Sequence, residues 1–323
     1  MRVRVQDPCR PGMPFFRRGY DAGMHFTEQS RHRTGLAQIH VAVLLAGGAG
    51  LFAKMLAVSP AVLTAGRTVF GSLALLCVVL ATRTSLRTRS AADFLVLVLS
   101  GMILAAHWFT FFLAIQVSTV AIGLLAFSTF PLFATFLEPL IFGERLRRQD
   151  VIMALLVAAG LVLVTPGFDV GNRMTQGLLW GILSAFSYAV LSLLSRSCAG
   201  RYPAVTVSFY QQGVAAACTV PFAMQWTGGI SAQDIALLVV LGVVFTALGQ
   251  GLVVASLRHL RAQTTSVVFG LEPVYGILLA WLLLGEVPAL RTLLGGGLIC
   301  GAVLWATLRQ DTHGKGPPPA GQA

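Results

Sequence analysis

The stretch "PLFATFLEPLIFGERL" (Pro131–Leu146) returns 142 positions later as "PVYGILLAWLLLGEVP" (Pro273–Pro288). Pro131 falls on Pro273, Leu137 on Leu279, Leu140 on Leu282, Gly143 on Gly285 and Glu144 on Glu286. At a shift of 143, Pro60 falls on Pro203. The chain therefore reads as two weakly related copies of one unit, each closing an oily run with the same Gly-Glu stop. A left-handed glycine ends a helix, and a carboxylate just beyond it accepts from exposed helix-start N–H groups. Gly143, Glu144, Gly285 and Glu286 are accordingly read as turn structure.

Composition places these copies in a bilayer. The 323 residues are 56% hydrophobic and 11% charged, with a mean hydropathy of +0.78. Soluble domains carry about a quarter charged residues. The charges cluster between apolar runs of about 20 residues, the length that spans about 30 Å of hydrocarbon. Ten spans are expected, at about 36–55, 60–81, 92–114, 119–142, 149–166, 176–195, 204–225, 234–255, 264–284 and 291–308. Each copy holds five. Five is odd, so the second copy enters the membrane upside down, the inverted-repeat plan of many secondary carriers. The expected fold is an all-α integral membrane bundle of ten transmembrane helices in two inverted five-helix repeats. The repeats cover residues 36–166 and 176–308, between disordered tails at 1–35 and 309–323.

The net charge of +11 does not point to nucleic acid, because no aromatic-interleaved basic patch accompanies it. With both tails placed inside, the inner connections hold Arg83, Arg87, Arg89, Arg145, Arg147, Arg148, Arg196, Arg201, Arg258 and Arg261. The outer side and its helix ends hold Lys54, Arg173 and Arg291. The positive-inside rule thus puts both termini in the cytoplasm of a multi-pass cell (inner/plasma) membrane protein. The start lacks the apolar core of a signal peptide, and Met24 is an alternative start. The cysteines form no CxxC, and no cofactor or metal is expected.

The strings "GGAGLFAK", "SPAVLTAGRTVFGSLALL", "AIQVSTVAIGLLAFSTFPLFATFLEPLIFGERL" and "SLRHLRAQTTSVVFGLEPVYGILLAWLLLGEVPALRTLLGGGLICGAVLW" together resemble the EamA-type transporters of the drug/metabolite transporter superfamily. The resemblance runs from about Leu36 to Leu308, and the Pro-then-GE ending of both fourth helices is its most specific part. It implies a ten-helix bundle moving small metabolites, often outward and usually without ATP. The chain departs from many relatives in lacking a tryptophan early in the first helix, where it reads "LLAGGAGLF". No Walker motif is present. A lipid-linked carrier or flippase of the same superfamily is the alternative. A membrane enzyme is weaker, since no HExxH, GxSxG or clustered His-Asp set occurs.

Polar residues inside the spans are the substrate-binding or coupling candidates. A charge at the bilayer centre costs roughly 2.5–3.5 kcal/mol on insertion scales, so it normally faces a cavity or a partner. Glu272 lies about 12 Å deep from the cytoplasmic side at about 1.5 Å per residue, and Glu138 lies nearer that surface. Arg67 offers a planar fork of donors to a carboxylate or phosphate, or else a fixed ion pair. His107 is a proton relay or a satisfied core histidine. Trp108 and Gln250 fall at equivalent depths in the repeat register. Tyr188, Tyr210, Gln211 and Tyr275 add polar tips that suit an amphipathic organic cargo or plain packing. Pro131 and Pro273, at mirrored depths, are hinge candidates. Gly295, Gly296, Gly297 and Gly301 form a small-residue face for packing inside the bundle or across a homodimer. The expected partners are a small-molecule substrate, the bilayer and a coupling proton.

Overall fold

The computed structural model describes residues 14–310 except 143–147, 165–168, 170, 199–200, 258 and 261. Every described element is helical. α1 (Pro14–Ala49) is followed by the one-turn α2 (Phe52–Met55), α3 (Pro60–Thr82) and α4 (Ala91–Val117). Next come α5 (Val120–Phe127), α6 (Phe130–Phe142), α7 (Arg148–Val164), α8 (Arg173–Cys198) and α9 (Ala204–Ala223). α10 (Ala232–Val240) runs through a π-helical segment (Leu241–Leu248) into α11 (Gly249–Ser256). α12 (Ala262–Phe269), α13 (Glu272–Leu284) and α14 (Leu290–Gln310) complete the fold.

Among the described residues, six stretches are long and apolar enough to cross a membrane: Arg31–Met55, Pro60–Thr82, Ala91–Val117, Val120–Ile141, Arg173–Cys198 and Ala232–Ser256. Val151–Val164, Glu272–Leu284 and Leu290–Trp305 are shorter apolar helices. The remaining expected spans, 204–225 among them, overlap described helices that do not meet that length and hydropathy together. α1 reaches back to Pro14, into the segment expected to be an unstructured tail. No proline stands between Pro14 and Pro60 to break it.

Local chemistry sets the helix starts. Ser59, Ser90 and Thr119 each accept a backbone N–H three residues on, and Ser231 with Asp234 forms a capping box. Gly285 ends α13 at φ 68°, a left-handed conformation that carries a penalty for any residue with a Cβ. Gly285 N–H reaches Trp281 O and Glu286 N–H reaches Ala280 O, closing the last turn. Gly143 and Glu144 lie outside the described residues.

The helix contacts exchange under a swap of the two halves. α4 packs on α8 while α1 packs on α11, and α4 packs on α9 while α3 packs on the π segment. α6 meets α8 while α1 meets α13. α3 with α9, α5 with α13 and α7 with α14 pair corresponding helices. Three close contacts tie one end of the bundle: Lys54 Nζ donates to Ser118 O at 2.7 Å, Gln116 Nε2 to Val58 O at 2.8 Å, and Val120 N–H to Glu286 Oε2 at 2.9 Å. Glu286 thus caps a helix of the other half, not the helix that follows it in sequence. The opposite, arginine-rich end is held by the Arg201–Asp93 ion pair, Tyr202 Oη donating to Asp93 Oδ2 at 2.7 Å, and Tyr210 Oη donating to Leu86 O at 2.8 Å.

The fourth helix of each half is broken. α5 stops at Phe127 and α6 begins at Phe130, while α12 stops at Phe269 and α13 begins at Glu272. In the 142-residue register these breaks coincide, and Phe127 is the counterpart of Phe269. Pro131 and Pro273 occupy the first turn of the second segment, where a missing N–H costs nothing. Each fourth helix is thus interrupted for two residues just before its proline, at the same place in both halves. Pro139, within α6, is the proline that lies inside a helix there. On α14, Gly295 sits against Gly160 and Val164 and Gly296 against Leu125. Gly297 and Gly301 have open space where a Cβ would stand.

Candidate functional site

A cavity of about 410 Å³ lies between the halves. α3 brings Arg67, α4 brings His107 and Trp108, and α8 brings Tyr188, Ser192 and Ser195. α9 adds Ser208 and Gln211, the π segment and α11 add Phe245 and Gln250, and α13 adds Glu272. Arg67 lies about 10 Å from the Lys54 end at about 1.5 Å per helical residue. From there the lining descends to Ser195, Ser208 and Val254, near the arginine-rich end. The π segment, whose Thr246 Oγ1 donates to Leu241 O at 2.9 Å, turns Phe245 and Gln250 to this wall. Such bulges recur at functional sites.

Arg67 is 4% exposed, and its Cζ stands 3.3 Å from the centroid of the Trp108 ring. A desolvated cation on an indole face is worth about 2 kcal/mol or more. Arg67 Nε and Nη1 are buried and have no hydrogen-bond partner among the described residues. Each buried donor left unpaired costs roughly 1–3 kcal/mol. Glu272 is buried on the same cavity, and its charge and that of Arg67 act on each other. No ion pair closer than 4.0 Å joins them among the described residues. A guanidinium and a carboxyl group thus line one cavity without meeting.

His107 is fully buried, with Nδ1 at 3.1 Å from Ser184 O and 2.8 Å from Ser184 Oγ. Ser184 Oγ donates to His107 O at 3.1 Å. Since the hydroxyl proton is used there, the consistent assignment puts the imidazole proton on Nδ1. Nε2 then presents a lone pair, and it has no partner, as is true of Trp108 Nε1. Tyr188, Phe127 and Phe130 pack edge to face beside this group.

The cavity gathers seven of the sequence candidates: Arg67, His107, Trp108, Tyr188, Gln211, Gln250 and Glu272. Three stand elsewhere. Tyr210 holds the arginine-rich end, as described above. Tyr275 Oη meets His40 Nδ1 at 2.8 Å, across the α1–α13 contact. Glu138 pairs with Arg196 Nη1 at 2.9 Å, on a half-exposed surface. Reaching the helix end lets Glu138 escape hydrocarbon, which is why it is not in the cavity. Ser184, Ser192, Ser195, Ser208, Phe127 and Phe269 went unnoticed in the sequence. Serines are ordinary in membrane helices, and no spacing distinguishes these.

A second hollow of about 410 Å³ lies on the far side of Glu272, between α6, α7, α13 and α14. Ser128, Ala134, Thr135, Glu138, Pro131 and Cys300 line it. Phe127, Phe269 and Glu272 belong to both hollows and form the wall between them.

The sequence matches the EamA-like transporter family over residues 33–165 and again over 175–308. It is 28% identical over 193 residues to an uncharacterized transporter of Archaeoglobus fulgidus, covering 60% of this chain and 69% of that one. It is 26% identical over 206 residues to the pseudopaline exporter CntI of Pseudomonas aeruginosa, covering 63% and 71%. It is 24% identical over 271 residues to the uncharacterized transporter YdfC of Bacillus subtilis, covering 82% and 88%. A solved crystal structure superposes with a TM-score of 0.63 at 22% identity, covering 89% of this chain and 100% of the other, which shows a shared fold.

Proposed function

The chain belongs to the EamA-like transporter family, and from that premise we propose a secondary transporter that exports small organic metabolites by alternating access. Two inverted five-helix units, residues 36–166 and 176–308, rock about the cavity between them, with both termini in the cytoplasm. The exchange of helix contacts under a swap of the halves supports the inverted arrangement. The three contacts at the Lys54 end and the descent of the cavity toward the arginines support a state open to the cytoplasm.

One observation carries the substrate reading: Arg67 and Glu272 face a common 410 Å³ space, unpaired with each other. That space takes a molecule with a carboxylate for the Arg67 fork and a cationic amine for Glu272. Trp108, Phe127, Tyr188 and Phe245 enclose its apolar part. Amino acids and larger amino-carboxylates have this chemistry. Glu272 is also the coupling group, protonated when empty and ionised when it holds the amine. The relative named as a pseudopaline exporter is consistent with export.

The test is counterflow in proteoliposomes with a panel of radiolabelled amino acids, amines and carboxylates. Transport is expected for compounds with both groups and is expected to fail in Arg67→Gln and in Glu272→Gln. Wild-type rates in both variants would remove the cavity from the transport path.

A further inference from the structure

Glu272 has a face on each of two hollows. One is the cargo cavity. The other is the crevice lined by Ser128, Thr135 and Glu138. The wall between them is built from the ends of the two broken helices. Phe127 terminates α5, Phe269 terminates α12, and they are register counterparts. Glu272 opens α13, and its counterpart in the first half is Phe130. The two halves thus place aromatic rings at three of the four positions beside the breaks and a carboxyl at the fourth. Phe127 is 7% exposed and stacks on Phe130 at 5.4 Å, which closes the wall around that carboxyl.

We propose that, while cargo fills the cavity, Glu272 exchanges its proton with solvent at the arginine-rich end through the crevice, so that cargo and proton reach one carboxyl by separate doorways. This rests on the transporter reading above. A cargo amine can displace the proton only if the proton has somewhere to go, and a filled cavity closes the first route. The crevice supplies another. The carboxyl O–H gives its proton to a crevice water. Thr135 and Ser128 hydroxyls stand along the way. Glu138, on the 34% exposed side-chain position paired to Arg196, marks the mouth. The carboxylate left behind faces the amine.

The charged and titratable groups around Glu272 come from every packed element. α3 presents Arg67, α4 His107, α8 Tyr188 and α6 Glu138. α13 adds Tyr275, bonded to His40 of α1, and α14 adds Cys300. Among the described residues, Glu138 and Cys300 are on the crevice side, and Arg67, His107 and Tyr188 are on the cavity side. The Arg67 cation keeps an excess proton out of the cavity, and among the described residues no cation lines the crevice wall.

The experiment uses the full chain with its cysteines replaced. Infrared spectra after a pH jump follow the carboxyl band that Glu272→Gln removes. The cavity is plugged with a bulky maleimide on Ser192→Cys. With the plug in place, the band is expected to respond as fast as before. Ala134→Phe, which fills the crevice, is expected to slow the plugged protein about tenfold or more. Thr135→Val, of similar size and without the hydroxyl, is expected to slow it with the packing kept. A plug that alone stops the response would overturn the proposal, as would Ala134→Phe and Thr135→Val both leaving the plugged rate unchanged. A Thr135→Cys that reacts with a membrane-permeant maleimide and not with a charged thiosulfonate would show lipid in the crevice and overturn it too. If the band does not respond between about pH 5 and about pH 9 while counterflow persists, the doorway fails and the transporter reading stands.

Discussion

Consider replacing Arg67 by Gln and asking which part of a ligand the protein stops recognising. Arg67 has unpartnered donors at Nε and Nη1, on either side of Nη2, and the guanidinium plane is already set by the Trp108 ring at 3.3 Å. A carboxylate taking Nη2 together with one of them gains two charge-assisted hydrogen bonds, each worth roughly 1.5–3 kcal/mol. Little ordering cost is subtracted, because the guanidinium is stacked before the ligand arrives. Losing the pair of bonds therefore weakens binding by about 3 kcal/mol, near 100-fold. A ligand at about 100 times its Kd stabilises the folded state by about 2.7 kcal/mol. After a 100-fold loss it stands at about its Kd and stabilises by about 0.4 kcal/mol.

The assay is thermal unfolding in detergent with each amino acid beside its amide and its N-acetyl derivative. For the wild type, the unmodified compound raises Tm and both derivatives lose most of the shift. For Arg67→Gln, the acid and its amide become equivalent, while the amine and its N-acetyl form still differ. For Glu272→Gln the pattern inverts. The crossed pattern separates a contact from general damage, because an unfolded or collapsed cavity would flatten every comparison together. If Arg67→Gln still distinguishes acid from amide by the wild-type margin, the guanidinium is not the carboxylate site, and the assignment of both charges falls with it.

Three further outcomes follow from the packing. A Cβ on Gly47 would stand 2.7 Å from Glu272 O and 2.8 Å from Gly276 N, so Gly47→Ala is expected to cost about 1–3 kcal/mol. Gly213→Ala, with nothing within 4 Å, should instead gain up to about 1 kcal/mol of helix propensity, and thermal melts compare the two. Glu286→Ala orphans Val120 N–H at a cost of roughly 1–3 kcal/mol, a population shift of about 5–150-fold toward opening of the Lys54 end. A cysteine at Val58, 5% exposed, should then react faster with a charged thiol reagent applied to that side, and an unchanged rate would mean the contact does not hold the end shut. Ser184→Ala removes the hydroxyl beside His107 Nδ1 and leaves Ser184's carbonyl position as the acceptor. Nitrogen-15 spectra should still show a single Nδ1–H form, because the carbonyl acceptor remains, and a mixed or Nε2–H form would refute the assignment.

The repeat was legible because it is written in prolines and glycines, whose backbone demands survive sequence drift. Pro131 and Pro273, with Gly285, marked corresponding points on both fourth helices. What they meant was less legible. A proline within an apolar run reads equally as a kink or as the first turn of a new half-helix, and packing decides between them. The breaks at Phe127 and Phe269 leave no signature, since phenylalanine is an ordinary helix residue. Glu138 and Glu272 look alike in sequence, both written "LEP". Their difference is positional. Glu138 is nine residues into α6 and reaches Arg196 at the surface, whereas Glu272 opens α13 at mid-depth, where no described cation meets it. Arg67 was visible as a lone arginine in a span, but its seat on Trp108 comes from α4, a different helix.

The asymmetry at the breaks, Phe130 in one half and Glu272 in the other, decides which titratable group the two hollows share. With a phenylalanine at the Glu272 position, as at Phe130, the wall would be aromatic throughout, and the two hollows would have no titratable group in common. With a glutamate at both, the second carboxyl would line the crevice with Glu138, away from Arg67, and would add an acid there that no described cation of the cavity meets. One carboxyl and one guanidinium give a cavity that is neutral when the carboxyl is ionised and positive when it is protonated. A zwitterion restores balance in the first state, and an anion does so in the second. The proton on Glu272 therefore decides which charge type the cavity prefers. Counterflow at low pH should shift toward carboxylates that lack an amine, and a preference independent of pH would show that Glu272 keeps one protonation state throughout the cycle.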